Sequence, residues 1–198
     1  MNNEAENSVA LRQDLSPETL RQHLERDLPG AVVPPPPPAA PPQPEEGEEK
    51  PEPKAKGKHT SERPDFLTTR DVVVEAGRLP DVARYIRDQL GYTYLSDIAV
   101  VDYLADGVFE LVYRFYHLDG GADGLVVKVR VPRDEPVVPA LTPDWPGANF
   151  HEREGYDLFG ISFTGHPDLR RLYMWEEFDG HPMRKDFVRQ GDKYIGKK

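Results

Sequence analysis

Five consecutive prolines, Pro34–Pro38, open a stretch to Pro53 in which ten of twenty residues are proline, leaving eleven for the rest of the chain. Such a segment can enter neither a helix interior nor a central strand, because each proline removes a backbone donor and fixes φ. Glu45, Glu46, Glu48, Glu49 and Glu52, followed by Lys54, Lys56 and Lys58, keep it solvated, and its proline part favours polyproline II. Residues 31–63 are therefore expected to be a disordered, semi-rigid spacer. A Pro-x-x-Pro ligand for an SH3-like partner has no support beyond the prolines themselves.

The spacer separates a short arm from a globular pattern. Within residues 1–30, Ser16, Pro17 and Glu18 make a good helix start, and Leu20, Leu24 and Leu28 repeat at i+4 before Pro29-Gly30. Three leucines cannot hold so short a helix alone, so a frayed, solvated arm is expected, with docking to a partner as the alternative.

Residues 64–160 read as the core. Asp71–Glu75 predicts a strand, and Pro80 opens a helix to Leu90 with Val82, Ala83 and Ile86 inward and Gly91 as the stop. Three strands follow, at about 94–103, 109–118 and 125–131, separated by Asp106-Gly107 and the Asp119–Gly124 turn. In the last, Leu125, Val127, Val129 and Val131 alternate with Val126, Lys128 and Arg130, which predicts a sheet with one wet or partner-facing side. Strand, helix and three-strand meander make this α+β. A proline-rich loop then leads to a helix over about 146–159, closed by Gly160. Beyond it, Gly165-His166-Pro167 and Gly180-His181-Pro182 keep residues 161–198 largely extended. Ile161, Phe163, Leu169, Leu172, Trp175, Phe178 and Phe187 need cover, so this tail either folds back or lies on a partner.

Composition removes several function classes. The chain has no cysteine, which excludes a thiolate nucleophile and a cysteine-held cluster within it. Its net charge of −10 argues against non-specific nucleic-acid binding. No apolar run reaches the ~20 residues of a membrane span, so any membrane association is expected to be peripheral. There is neither a Gly-x-Gly-x-x-Gly nor a phosphate-binding Gly-x-x-x-x-Gly-Lys loop.

On the last helix, Trp145, Ala148, Tyr156 and Phe159 fall within about 40° of Glu152, setting a carboxylate in the apolar stripe. A buried glutamate must be paired or protonated. The functional reading is a general acid or base; the structural reading, which we favour, is an ion pair with Arg170, Arg171 or Arg184. Arg153, Glu154 and Asp157 lie on other faces. His151-Glu152 begins like a zincin motif, but Gly155 stands where the second histidine would be. His117, His151, His166 and His181 have no metal-like local spacing.

The strings Glu152-Arg153-Glu154-Gly155-Tyr156-Asp157-Leu158-Phe159-Gly160-Ile161, Gly165-His166-Pro167-Asp168-Leu169-Arg170-Arg171-Leu172 and Gly180-His181-Pro182-Met183-Arg184-Lys185-Asp186-Phe187 resemble one family. It is the 30 kDa (C) subunit family of the proton-pumping NADH:quinone oxidoreductase, respiratory complex I. The resemblance covers roughly residues 65–190, with Met183 and Val188 as small departures. It implies a peripheral-arm subunit without redox centre, catalytic residue or metal of its own. FMN, iron–sulfur clusters and the quinone site would lie in partner subunits, the chief neighbour being the large (D) subunit of the quinone site. The complex would pass electrons from NADH to quinone and translocate protons. The expected place is the cytoplasmic side of a bacterial membrane, reached only through the complex. The resemblance further implies that Glu152, Arg153, Glu154, Asp157, His166, Arg170, Arg171, His181, Arg184, Lys185 and Phe187 face subunit neighbours, the tail 161–198 binding the partner. The alternatives are the equivalent subunit of a membrane-bound hydrogenase or formate hydrogenlyase, a metal-dependent hydrolase using His166, His181 and Glu152, and an adaptor using the proline arm.

Overall fold

The structure, a computed structural model, describes residues 15–34, 71–118 and 124–188. Strands β1 (Val72–Val74), β2 (Tyr94–Tyr103), β3 (Val108–Tyr116) and β4 (Leu125–Pro132) form one sheet in the order β1-β4-β3-β2. The β2-β3-β4 meander is antiparallel, and β1 returns parallel to β4. Helix α2 (Leu79–Asp88) crosses between β1 and β2 and buries Leu79, Val82, Ala83 and Ile86. The α+β fold is the one the sequence pattern predicts.

Alternation in β4 sorts the two faces. Leu125, Val127, Val129 and Val131 are buried with Phe109, Leu111, Tyr113 and Phe115 of β3 in one core. On the opposite face Glu110 meets Arg130 at 2.8 Å and Lys128 at 3.4 Å, and Lys128 reaches Asp71 at 2.9 Å. This is the polar face, its charges neutralised in a largely buried ladder.

The arm departs from expectation. Helix α1 (Pro17–Asp27) starts as predicted, Ser16 accepting the Thr19 N–H, but Leu20 and Leu24 are wholly buried. Residues 31–33 leave the spacer and join the sheet: Val32 bridges Val74, Val33 N–H donates to Val73, and Glu75 N–H donates to Ala31. Isolated, the leucines cannot pay for the helix; against an existing core each is worth ~1.5–3 kcal/mol. The proline segment lies outside the described residues.

Two further strands were not foreseen. Strand β5 (Val137–Pro139) from the proline-rich loop pairs in parallel with β6 (Ser162–Thr164) from the tail. Three-residue strands carry too little alternation to be read from sequence. Between them helix α3 (Ala148–Phe159) packs on β2. Gly155 of α3 permits close approach of β6, because a Cβ would stand 3.1 Å from the Phe163 ring. No helix among the described residues is long and apolar enough to cross a membrane.

Candidate functional site

Of the three carboxylates on helix α3, Glu152 and Asp157 are 0% exposed and lie on different faces. Glu152 points toward the loop before the helix. It accepts the N–H groups of Leu141 and Thr142 and the Thr142 hydroxyl. Burial pushes its carboxyl above the ordinary range, and the Thr142 side chain and the two backbone donors pull it part of the way back. His166 accepts the Asp168 N–H at Nδ1, so its other nitrogen carries the proton when neutral and faces Glu152 at 3.8 Å. The predicted Glu152–arginine pair is not formed. The loop Leu141–Thr142 supplies enough donors to satisfy the carboxylate without a cation.

Asp157 takes the arginine instead. One oxygen accepts the Arg171 guanidinium at 2.8 Å; the other accepts three successive N–H groups, from Leu172, Tyr173 and Met174, at 2.9, 2.6 and 2.9 Å. Burial opposes its charge, but the donors of Met174, Tyr173, Arg171 and Leu172 more than offset this and hold the carboxyl below the usual range. Arg171 also donates to the carbonyls of Phe178 and Gly180, while Arg153 donates to those of Arg170 and Arg171. A tail almost without regular structure is thus pinned by charged side chains that reach its backbone.

The tail returns over the C-terminal end of α3. Arg184 donates to the Phe159 carbonyl at 2.7 Å, Met183 N–H to Leu158, and His181 Nδ1 lies 2.9 Å from the Asp157 carbonyl. These groups fill the carbonyl positions that a helix end leaves open. Burial and the neighbouring Arg184 and Arg171 push His181 below the ordinary histidine value, and because a carbonyl only accepts, Nδ1 is the donor of this hydrogen bond. Gly160, at φ +74°, makes the turn, and a Cβ there would meet the His181 ring at 2.5 Å.

A second clasp lies at the sheet. Arg133 is bidentate to Asp102 and also reaches Asp186, while Lys185 N–H donates to Asp102. The Arg133 and Arg184 guanidinium groups stand 5.2 and 5.1 Å from the Phe109 ring centre. The sequence reading missed Asp102, Arg133 and Thr142. Asp102 was legible: from Ile98, every second residue of β2 points to the core, which puts an acid inward. Arg133 and Thr142 had no local signal.

Of the residues expected to face neighbours, Glu152, Arg153 and Asp157 are buried inside the chain. Direct partner contact is a correction for these three, because the tail and the Leu141–Thr142 loop cover them. Glu154, Arg171, His181, Arg184 and Phe187 are partly exposed, Arg170 and Lys185 are exposed, and the His166 side chain is buried beside Glu152. The clasps leave Phe150, Tyr173 and Trp175 outward at 61, 59 and 53% exposure, together with Met183. The Phe150 ring lies against Arg153, which is itself bonded to the tail. Among the described residues no three histidine or acidic side chains gather as a metal site.

Three comparisons bear on this arrangement. The model of a family described as "Respiratory-chain NADH dehydrogenase, 30 Kd subunit" matches residues 72–193. The chain is 45% identical over 125 residues to the C subunit of the NADH-quinone oxidoreductase of Roseiflexus sp. (strain RS-1), covering 62% of this chain and 71% of that one. It is 43% identical over 116 residues to the C subunit from Moorella thermoacetica (strain ATCC 39073 / JCM 9320), covering 59% and 78%. A chain in the structure of the membrane-bound sulfane sulfur reductase, an archaeal respiratory membrane complex, aligns with TM-score 0.53 and 27% identity, covering 59% of this chain and 70% of that one.

Proposed function

The chain belongs to the respiratory-chain NADH dehydrogenase 30 Kd subunit family, and from that premise we propose that it is a scaffold of the peripheral arm of NADH-quinone oxidoreductase, docking by its tail. It carries no redox centre and no catalytic residue. Flavin, iron–sulfur clusters and quinone are held by partner subunits, and this chain's neighbour is the large quinone-site subunit, on the cytoplasmic side of the membrane. The hydrogenase alternative is not favoured, since relatives at 43–45% identity are NADH-quinone oxidoreductase subunits.

One observation carries the docking role. The tail is fixed to α3 and β2 through side chains that are mostly buried, while its Tyr173 and Trp175 are exposed, as is Phe150 of α3. Aromatic side chains held outward on a preorganised backbone are what an interface uses as anchors, because little entropy remains to be lost on binding. Glu152, Arg153 and Asp157 then serve by positioning the tail and the loop before α3.

The test is a tagged chain purified from membranes in mild detergent, with and without the Tyr173→Ala/Trp175→Ala double substitution. Loss of two anchors should reduce recovery of the quinone-site subunit roughly tenfold or more, with the thermal transition of the isolated chain unchanged. Undiminished recovery would overturn docking through the tail.

A further inference from the structure

Strand β1 is an edge of the main sheet, three residues long and entirely Val, with every side chain buried. An apolar edge of that kind, if bare, offers unpaired backbone groups to any other chain. Residues 15–34 cover it. Val32 bridges Val74 antiparallel, Val33 N–H donates to Val73, and Glu75 N–H donates back to Ala31. Above this pairing Leu20, Leu24 and Ala31 are fully buried, Leu15 and Leu28 pack against the same core, and the Tyr85 hydroxyl donates to Asp27.

The bridge also fixes where the intervening stretch begins and ends. Because Val33 is bonded to Val73, the chain departs at Pro34 and re-enters at Asp71 in one corner of the sheet. A covalent connection between points held in one corner raises the local concentration of the arm. The geometry is set by leucines in a groove and by two strand hydrogen bonds.

We infer that residues 15–34 are a built-in helix-and-strand ligand for the β1 edge, held by non-covalent contacts, and that they keep this edge from pairing with a second copy of the chain. Recognition combines strand addition with a helix laid in an apolar groove. The site is at the opposite sheet edge from β2, on which α3 packs, so its occupancy is independent of docking through the tail.

The test uses the full chain with a specific protease site replacing Lys54–Lys58, cut after folding. Both fragments should co-elute at the hydrodynamic size of the uncut chain. Release of the arm fragment, with the remainder still monodisperse, would overturn the inference. In the same cleavable chain, Leu20→Asp/Leu24→Asp should release the arm and leave the remainder self-associating. Free peptide spanning residues 15–34 should restore its size. Failure of the peptide to do so, or continued co-elution of the substituted fragment, would count against the inference. A milder substitution, Val33→Pro, removes one donor and should speed exchange of the cut arm with labelled free peptide. An unchanged rate would show that the strand pairing contributes nothing.

Discussion

The two ends of helix α3 solve one problem in opposite ways. At its N-terminal half Glu152 is buried against a loop only ten or eleven residues earlier, its oxygens met by two backbone N–H groups and a hydroxyl. At its C-terminal half Asp157 is buried against a tail that would otherwise be loose, and receives an arginine and three backbone N–H groups. The first carboxyl is pushed up by burial and the second is held down by its donors. A buried carboxylate that organises nearby chain can be satisfied by neutral groups. One that must hold twenty residues of irregular backbone requires charge, since charge-assisted hydrogen bonds are roughly twice as strong as neutral ones.

The comparison breaks hardest at Asp157. Asp157→Ala takes the carboxylate from Arg171 and frees three backbone donors, so a loss of about 3–5 kcal/mol is expected in urea unfolding, with new protease cuts between residues 166 and 188. A loss below about 1 kcal/mol would show that the tail is held by something else. Arg133→Ala should cost less, about 2–3 kcal/mol, because Asp102 keeps the Lys185 N–H. Its protease cuts should gather near residue 186.

Glu152→Gln sharpens the contrast. The new amide can still accept from Leu141 and can donate to the Thr142 hydroxyl, leaving only the long Thr142 N–H contact at 3.4 Å unmet, so about 1 kcal/mol should be lost. Asp157→Asn has no such escape, because every partner of Asp157 is a donor; it should cost more than Glu152→Gln in the same assay, and equal losses would refute the distinction. The smallest effect is the pH response. Glu152, raised when folded, contributes most below the ordinary value of 4.5 and loses that contribution as pH rises through its elevated value. Asp157, lowered when folded, contributes fully above the ordinary 3.8 and loses it as pH falls through its depressed value. Stability differences from wild type should therefore change on the alkaline side for Glu152→Gln and on the acid side for Asp157→Asn. Parallel profiles would contradict this.

Periodicity in the sequence determined the α+β class, the meander, both ends of β2 and the burial of Glu152, because each rests on residues close in the chain. It also placed α1, since Ser16, Pro17 and the leucine spacing are local signals. What it could not determine was which groups meet across distance. The partners of Glu152 are not legible, because the donors of Leu141 and Thr142 are backbone and hydroxyl groups, present at almost any position and without a sequence signature. From sequence the arm reads as solvated, because Leu20 and Leu24 gain their stability only from β1 and α2, across the proline stretch. Only the tertiary structure decided that the arm belongs to the core and that the tail is clasped to α3. Both depend on contacts whose free energy exists only after the sheet is in place.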